Sequence, residues 1–167
     1  IRPGHYVIDS RKPSAYVPRM LKAGWQTPVK VVLSGTMRLK DQLSHKIASQ
    51  LMVDSAAVHN ALEDDDLLEL YGFTPEDVFS LILPDTYEFY WTASMREFFE
   101  RMKKEYDAFW TEDRLRKATL QGLSQKEVSI MASIVSGETN YAPEYPAIAG
   151  VYLNRYHSGM PPQADPT

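Results

Sequence analysis

The most regular pattern of hydrophobic and polar positions lies between Leu123 and Glu138. Its apolar residues recur at the spacing of one helix face, and two isoleucines widen that face: Val128, Met131, Ala132, Val135, Ile130 and Ile134. Ser124 and Glu127 have the spacing of a capping box at the helix start. Gly137 favours an end to helical geometry. We therefore expect a largely buried helix that ends at this glycine and holds Glu138 at the edge of the core.

A second helix is predicted to begin near Pro143 and Pro146 and to stop at Gly159. Its apolar stripe consists of Ile148, Val151, Tyr152 and Tyr156. Asn154 and Arg155 fall in its last turns, where an arginine suits the negative end of the helix dipole and an asparagine is ordinarily solvated. The tail at 161–167 contains three prolines and is predicted to be a loop. Gln163 and Asp165 alternate in it, so both can point at one cleft.

Residues 1–63 have the pattern of a small α/β unit. Its predicted elements are a short strand at Gly4–Ile8, a helix at Ser14–Ala23 with Gly24 as its stop, a strand at Pro28–Leu33, a helix at Leu39–Leu51, and a short helix capped by Asp54 that runs through Leu62. The strand at 28–33 is the best defined, because it is rich in β-branched residues.

The segment at 63–122 is predicted to be mainly helical, with one aromatic stretch. Helix starts are predicted at the acidic run 63–66, at Thr74–Pro75, and at Ser94 for a long helix to about Leu120. Leu81–Trp91 is aromatic with Asp85, Thr86 and Glu88 interleaved. Rings beside carboxylates and hydroxyls are typical of sugar-binding clefts. A buried strand or turn in which Asp85 is bonded locally explains this stretch equally well.

Composition narrows the class of protein. With 167 residues and 44% hydrophobic content, the chain can bury a core in one domain or two small ones. The net charge of −4, without a Lys/Arg cluster, argues against nucleic acid as a partner. There is no cysteine, and the four histidines lack metal-ligand spacing, so no metal site is expected. No apolar run approaches the length of a membrane span, and no signal peptide is present.

From the residues alone, Glu138 is open to two interpretations. A carboxyl group in partly apolar surroundings has a raised pKa and stays protonated near neutral pH, as a proton donor must. Alternatively, Glu138 is one more polar residue that closes a helix, and spacing by itself favours this second interpretation.

Four segments, in order along the chain, resemble the motifs of one family. IVSGETN (134–140), AGVYLNR (149–155) and GMPPQADPT (159–167) resemble the MltG-type (YceG-like) endolytic murein transglycosylases, bacterial enzymes that cut peptidoglycan glycan strands. LPDTYEFYW (83–91) resembles the Pro-[Asp/Asn]-Thr segment of the same family. The resemblance covers essentially the whole chain and is densest after Leu81. Four blocks with compatible spacing are far more specific than any one of them.

The resemblance implies an α+β, helix-rich fold. It implies a small LysM-like α/β subdomain at 1–63, followed at 64–167 by a mostly helical part of the catalytic domain. LysM-type modules bind glycans that contain N-acetylglucosamine. For residues 1–63 of this chain, a module that binds sugar and a scaffold without sugar affinity are equally compatible with the sequence.

The resemblance also implies a lytic reaction in which Glu138 is the catalytic residue. The protonated acid would donate to the glycosidic oxygen between N-acetylmuramic acid and N-acetylglucosamine. The carboxylate would then take the proton of the muramic C6 hydroxyl, which closes a 1,6-anhydro ring. No metal or organic cofactor is needed. The residues expected to bind substrate are Asp85, Thr86, Asn154, Arg155, Gln163 and Asp165.

The chain departs from the family pattern at three places. Ser136 and Gly137 stand where many members have Glu-Lys, Pro162 replaces a leucine, and the chain ends at Thr167, where family members continue. We therefore expect a fragment whose catalytic domain is incomplete at its C-terminus, whose exposed apolar surface favours a homodimer, and whose own activity is open.

The family context implies an extracytoplasmic location. We expect the parent protein to lie on the periplasmic side of the inner membrane, anchored by an N-terminal transmembrane helix outside this chain. Peptidoglycan glycan strands are the expected partners, and cell-wall synthases are candidate protein partners.

Two other classes of function remain open from the sequence. One is a non-catalytic peptidoglycan-binding or scaffold protein of the cell-wall synthesis machinery. The other is a hydrolytic glycosidase that uses two carboxylates, with Asp85 or Asp165 as the partner of Glu138.

Overall fold

A computed structural model of the chain describes residues 1–34 and 39–160. Within these ranges the chain is helix-rich, with eight α-helices and one small antiparallel sheet, so the predicted α+β class is confirmed. The chain divides into two compact units, Ile1–Phe109 and Trp110–Thr167, and each is described by itself. The predicted boundary at residue 63 and the LysM-like identity of residues 1–63 stay predictions.

The first unit contains five α-helices and both strands. The helices are α1 (Tyr16–Ala23), α2 (Lys40–Ala48), α3 (Ser55–Leu62), α4 (Asp65–Glu69) and α5 (Met95–Phe109), with a 3₁₀ turn at Val78–Leu81. The helix starts predicted at Asp54 and at the acidic run 63–66 are confirmed, and each has a side-chain cap. The Asp54 side chain accepts from the Ala56 amide, and the Asp64 side chain accepts from the Leu67 amide. At the end of α1, Gly24 adopts the left-handed conformation, with φ of 74°, that a glycine allows.

The sheet joins two strands that lie far apart in the sequence. β1 (Val29–Val32) pairs antiparallel with β2 (Thr86–Phe89), with Val29 opposite Phe89 and Val32 opposite Thr86. Alternate side chains point to the core, so Val31, Tyr87 and Phe89 are buried while Lys30 and Glu88 are exposed. β2 arises within the aromatic stretch 81–91, where a strand or turn was one of the two expectations.

Three predicted elements of the first part of the chain are wrong. Gly4–Ile8 forms no strand: the His5 carbonyl accepts from the Thr27 amide, but Val7 and Ile8 stay exposed and no ladder follows. No helix starts at Thr74–Pro75; the segment is a turn in which Asp77 accepts from the Thr74 amide at 2.7 Å.

The third error is the long helix from Ser94 to Leu120. It is two helices, because α5 ends at Phe109 and α6 (Glu112–Leu120) begins anew with Thr111 as its N-cap. The Thr111 side chain accepts from the Arg114 amide. A threonine followed by Glu112 and Asp113 is typical of the start of a helix. The continuous apolar stripe favoured one long helix instead.

The second unit places three helices in sequence: α6, α7 (Gln125–Glu138) and α8 (Tyr145–His157), with a 3₁₀ turn at Ala142–Glu144. The predicted capping box is confirmed, because the Ser124 amide donates to Glu127 at 2.7 Å and the Glu127 amide donates to the Ser124 hydroxyl at 3.2 Å. The end of α8 is confirmed too, with Gly159 at a φ of 66° just after it.

α7 differs from its prediction in two respects. It continues through Gly137 to Glu138, and the chain leaves the helix only at Thr139, whose φ of −151° is extended. The exit is fixed by the Thr139 hydroxyl, which accepts from the Tyr141 amide and donates to Glu144. The helix is also less buried than expected: Val135 is its one buried residue, and Ile130 is 51% exposed.

Candidate functional site

The carboxyl group of Glu138 lies at the surface, at the last residue of α7. Its Oε1 atom accepts a hydrogen bond of 2.5 Å from the hydroxyl of Tyr152, which lies on α8. Glu138 is thus accessible to a ligand and is also tied to the neighbouring helix. The prediction that Glu138 lies at the edge of the core is therefore wrong, because its side chain is exposed.

Tyr152 is the buried partner in this bond, with only 7% of its surface exposed. Its hydrogen bond to the Glu138 carboxylate raises the pKa of Tyr152, and burial and the negative charge of Glu138 act in the same direction. The Tyr152 hydroxyl therefore stays a hydrogen-bond donor throughout the neutral pH range.

Arg155 lies near the ring of the same tyrosine. Its guanidinium carbon is 5.8 Å from the centroid of the Tyr152 ring, a cation–π distance. The preceding residue, Asn154, is exposed and its carbonyl accepts from the Ser158 amide at 3.0 Å, which helps to end α8. The predicted residues Glu138 and Arg155 are thereby linked through Tyr152.

A second tyrosine–glutamate bond joins the same two helices. The Tyr156 hydroxyl donates to Oε1 of Glu127 at 2.6 Å. This bond, followed by the capping-box bonds from Ser124, lowers the pKa of Glu127, and the same bond to Glu127 raises the pKa of Tyr156. Unlike Glu138, Glu127 already has a structural task, because it caps the start of α7.

Asp85 and Thr86 belong to the first unit, where both side chains are exposed. The Asp85 carboxylate accepts from the Thr86 amide at 2.7 Å, and the Asp85 carbonyl accepts from the Leu33 amide at 2.8 Å. Asp85 is therefore bonded locally, as one of the two expectations stated. Gln163 and Asp165 lie outside the described residues.

Sequence reasoning missed the hydrogen-bonding role of Tyr152. The pattern placed it on an apolar stripe, where a phenylalanine would serve equally well for packing. The hydroxyl of Tyr152 could have indicated this role, because a buried tyrosine ordinarily forms a hydrogen bond through its O–H group.

Two observations on residues 1–34 and 39–160 concern metal ions and membranes. No group of three or more His, Cys, Asp or Glu side chains in these ranges is arranged to hold a metal ion. None of the helices described there is long and apolar enough to cross a membrane.

Comparison with known proteins identifies the family. The profile of the YceG-like family matches residues 1–167, and no curated protein matches the chain. The YceG-like family is known for murein transglycosylase function and is extracytoplasmic. Because the match spans the entire sequence, the chain belongs to the YceG-like family.

Proposed function

We propose that this chain carries the acid–base residue of an endolytic peptidoglycan lytic transglycosylase, and that Glu138 is that residue. The observation that supports the proposal is an exposed carboxyl group at the end of α7, linked through Tyr152 to Arg155 on α8. Both helices carry segments that resemble the family motifs, and the family profile spans the chain.

In the first step, protonated Glu138 gives its proton to the glycosidic oxygen that links N-acetylmuramic acid to N-acetylglucosamine. The bond between C1 of muramic acid and this oxygen breaks, and the N-acetylglucosamine leaves with a free hydroxyl. In the second step, the muramic C6 oxygen bonds to C1 and its proton passes to Glu138. The 1,6-anhydro ring closes, and the acid returns to its protonated form.

One carboxyl group is sufficient for this sequence, because the nucleophile belongs to the substrate. One feature near Glu138 favours its neutral form, and another favours its carboxylate form. The negative end of the α7 dipole opposes a carboxylate charge, while the Tyr152 hydroxyl stabilises that charge by hydrogen bonding. A residue that acts first as acid and then as base requires both forms.

The substrate-binding roles follow from side-chain chemistry. We propose that the Arg155 guanidinium and the Asn154 amide bond sugar hydroxyls or N-acetyl groups beside Glu138. We also propose that Asp85, Thr86, Gln163 and Asp165 bind the glycan strand. In residues 1–63 a LysM-like module is proposed to hold the glycan strand.

We propose that the protein acts at the periplasmic side of the inner membrane on peptidoglycan strands. Cell-wall synthases are the proposed protein partners, and a homodimer of this chain is a further proposal. The dimer is tested by analytical ultracentrifugation, in which a mass that stays monomeric at every concentration contradicts it.

The reaction is tested by mass spectrometry of the muropeptides released from purified peptidoglycan. We expect anhydro-ended products from the protein, and a rate lower by roughly 10²–10⁴-fold for Glu138→Gln, because general acid–base catalysis contributes that much. Glu112→Gln, an exposed glutamate at the start of α6, is the matched control and should keep full activity.

The products also separate the other functions. Reducing muramic ends without an anhydro sugar would show a two-carboxylate hydrolase. Cosedimentation with peptidoglycan without any cleavage would favour the scaffold function. Full activity of Glu138→Gln would contradict the assignment of the acid.

A further inference from the structure

The bond between Tyr152 and Glu138 fixes one oxygen of an otherwise exposed carboxyl group. Tyr152 is 7% exposed, and its hydroxyl meets Glu138 Oε1 at 2.5 Å, a short distance of the kind formed by charge-assisted hydrogen bonds. An exposed glutamate ordinarily samples several rotamers. Here a buried ring that belongs to another helix holds the group.

The ring itself also contacts a cationic side chain. The Arg155 guanidinium lies 5.8 Å from its centroid, and the ring's backbone belongs to the middle of α8. The Tyr152 hydroxyl is therefore a fixed point to which the Glu138 side chain is oriented, and not a mobile surface group that follows the carboxylate.

We propose that Tyr152 is the positioning residue of Glu138: its hydroxyl occupies Oε1, so that Oε2 is the oxygen that gives and takes the proton. This inference rests on the proposed function of Glu138. A phenol donor on Oε1 leaves Oε2 as the favoured place for the acid's proton. After that proton has left, the same donor stabilises the carboxylate until the C6 hydroxyl is deprotonated.

The molecule contains its own control for this role. Tyr156 lies one helical turn beyond Tyr152 on α8 and makes the same kind of bond to Glu127 on α7, at 2.6 Å. Loss of either hydroxyl removes one tyrosine–glutamate bond between the same two helices. Only the loss of the Tyr152 hydroxyl changes the proposed acid.

The kinetic test compares Tyr152→Phe with Tyr156→Phe on a defined glycan strand. For Tyr152→Phe we expect kcat to fall about tenfold with KM within about twofold, because orientation and carboxylate stabilisation act on the chemical step. Tyr156→Phe should keep the wild-type kcat and KM.

The comparison of the two variants is interpretable because the charged neighbours stay unchanged. Arg155 faces the Tyr152 ring from α8, and Glu144 is bound by the Thr139 hydroxyl next to Glu138. Neither is altered in the two tyrosine variants. A merely structural role of Tyr152 would lower kcat in Tyr156→Phe as well, because that variant also loses one tyrosine–glutamate bond between α7 and α8.

A second measurement does not require activity. In ¹³C-tyrosine-labelled protein, Tyr152 should titrate at lower pH in Glu138→Gln than in the wild type, because the carboxylate that raises its pKa is gone. The titration of Tyr156 should not change. An unchanged Tyr152 titration would show that the contact is absent and would overturn the proposal.

The two proposals fail in different ways. If the wild type forms no anhydro products, the proposed function fails, whereas the labelling experiment still tests the contact. If Glu138→Gln is inactive but Tyr152→Phe keeps the wild-type kcat, the function stands and the positioning role is wrong.

Discussion

Each of the two units of the chain is stabilised internally by a different kind of contact. Among the residues that the structure describes, the twelve largest fully buried side chains, which range from Val31 to Met102, all belong to the first unit. In the second unit the contacts between α7 and α8 include two tyrosine–glutamate bonds, while apolar residues such as Ile130 and Val151 stay about half exposed. The first unit is thus built around an apolar core. The second contains the candidate acid and depends more on directional polar bonds.

This difference is informative about where chemistry can be placed. A packed core fixes its side chains but leaves no accessible carboxyl group among them. The edge of a helix pair offers access, and a hydrogen bond from a buried tyrosine restores the fixed orientation. The comparison predicts that core substitutions in the first unit affect stability strongly, whereas polar substitutions in the second unit affect it weakly.

The largest effect is expected for Phe98→Ala. Phe98 is fully buried, and its ring lies 5.5 Å from that of Phe89 and 5.7 Å from that of Phe99. The cavity should lower the free energy of unfolding by about 3–5 kcal/mol. Urea denaturation measures the loss, and hydrogen exchange should localise it to 1–109. Tyr90→Ala, at a 55% exposed site, is the control and should change stability by less than about 0.5 kcal/mol.

An intermediate effect is expected at alkaline pH. Burial, followed by the negative charges of Asp85 and Glu105, raises the pKa of Tyr87 to about 12. The unfolded value is about 10, so the stability that depends on neutral Tyr87 is complete below pH 10 and is lost as the pH rises toward 12. The loss should be about 2 kcal/mol.

Unfolding measured at pH 9 and pH 11.5 tests the role of Tyr87. In Tyr87→Phe the decline over this interval should be smaller, although the variant also loses the bond of 2.7 Å to the Leu83 carbonyl. The same decline in Tyr87→Phe and the wild type would assign the alkaline sensitivity to other groups.

The smallest effect is expected in the second unit, for Ser124→Ala. The variant removes the hydroxyl that accepts from the Glu127 amide and should cost about 1 kcal/mol. Hydrogen exchange should increase in the first turn of α7 while peptides from 1–109 stay unchanged. Faster exchange throughout the first unit would contradict the assignment of separate kinds of contact to the two units.

The sequence predicted most elements, because their signals are local. The capping box of α7, the Asp54 cap of α3 and the glycine stops at Gly24 and Gly159 each depend on residues within a few positions. The strand at Gly4–Ile8 failed for the opposite reason. A strand requires a partner, and the residues within it do not show whether one is available.

The candidate site shows the same limit. The motif resemblance singled out Glu138, yet spacing could not show that α7 passes through Gly137 or that the glutamate is exposed. The hydrogen bond from Tyr152 depends on the packing of α7 against α8. A tyrosine predicted to be buried is expected to form a hydrogen bond through its hydroxyl, but the sequence does not identify the partner.

The pairing of β1 with β2 has a consequence for the order of folding. During synthesis from the N-terminus, Val29–Val32 emerges well before Thr86–Phe89, with α2, α3 and α4 between them. The sheet must therefore wait for a distant segment, which slows closure and leaves β1 unpaired meanwhile. The second unit has no such delay, since α6, α7 and α8 follow one another directly. The helices that carry Glu138 and Tyr152 need only their immediate neighbours to come together.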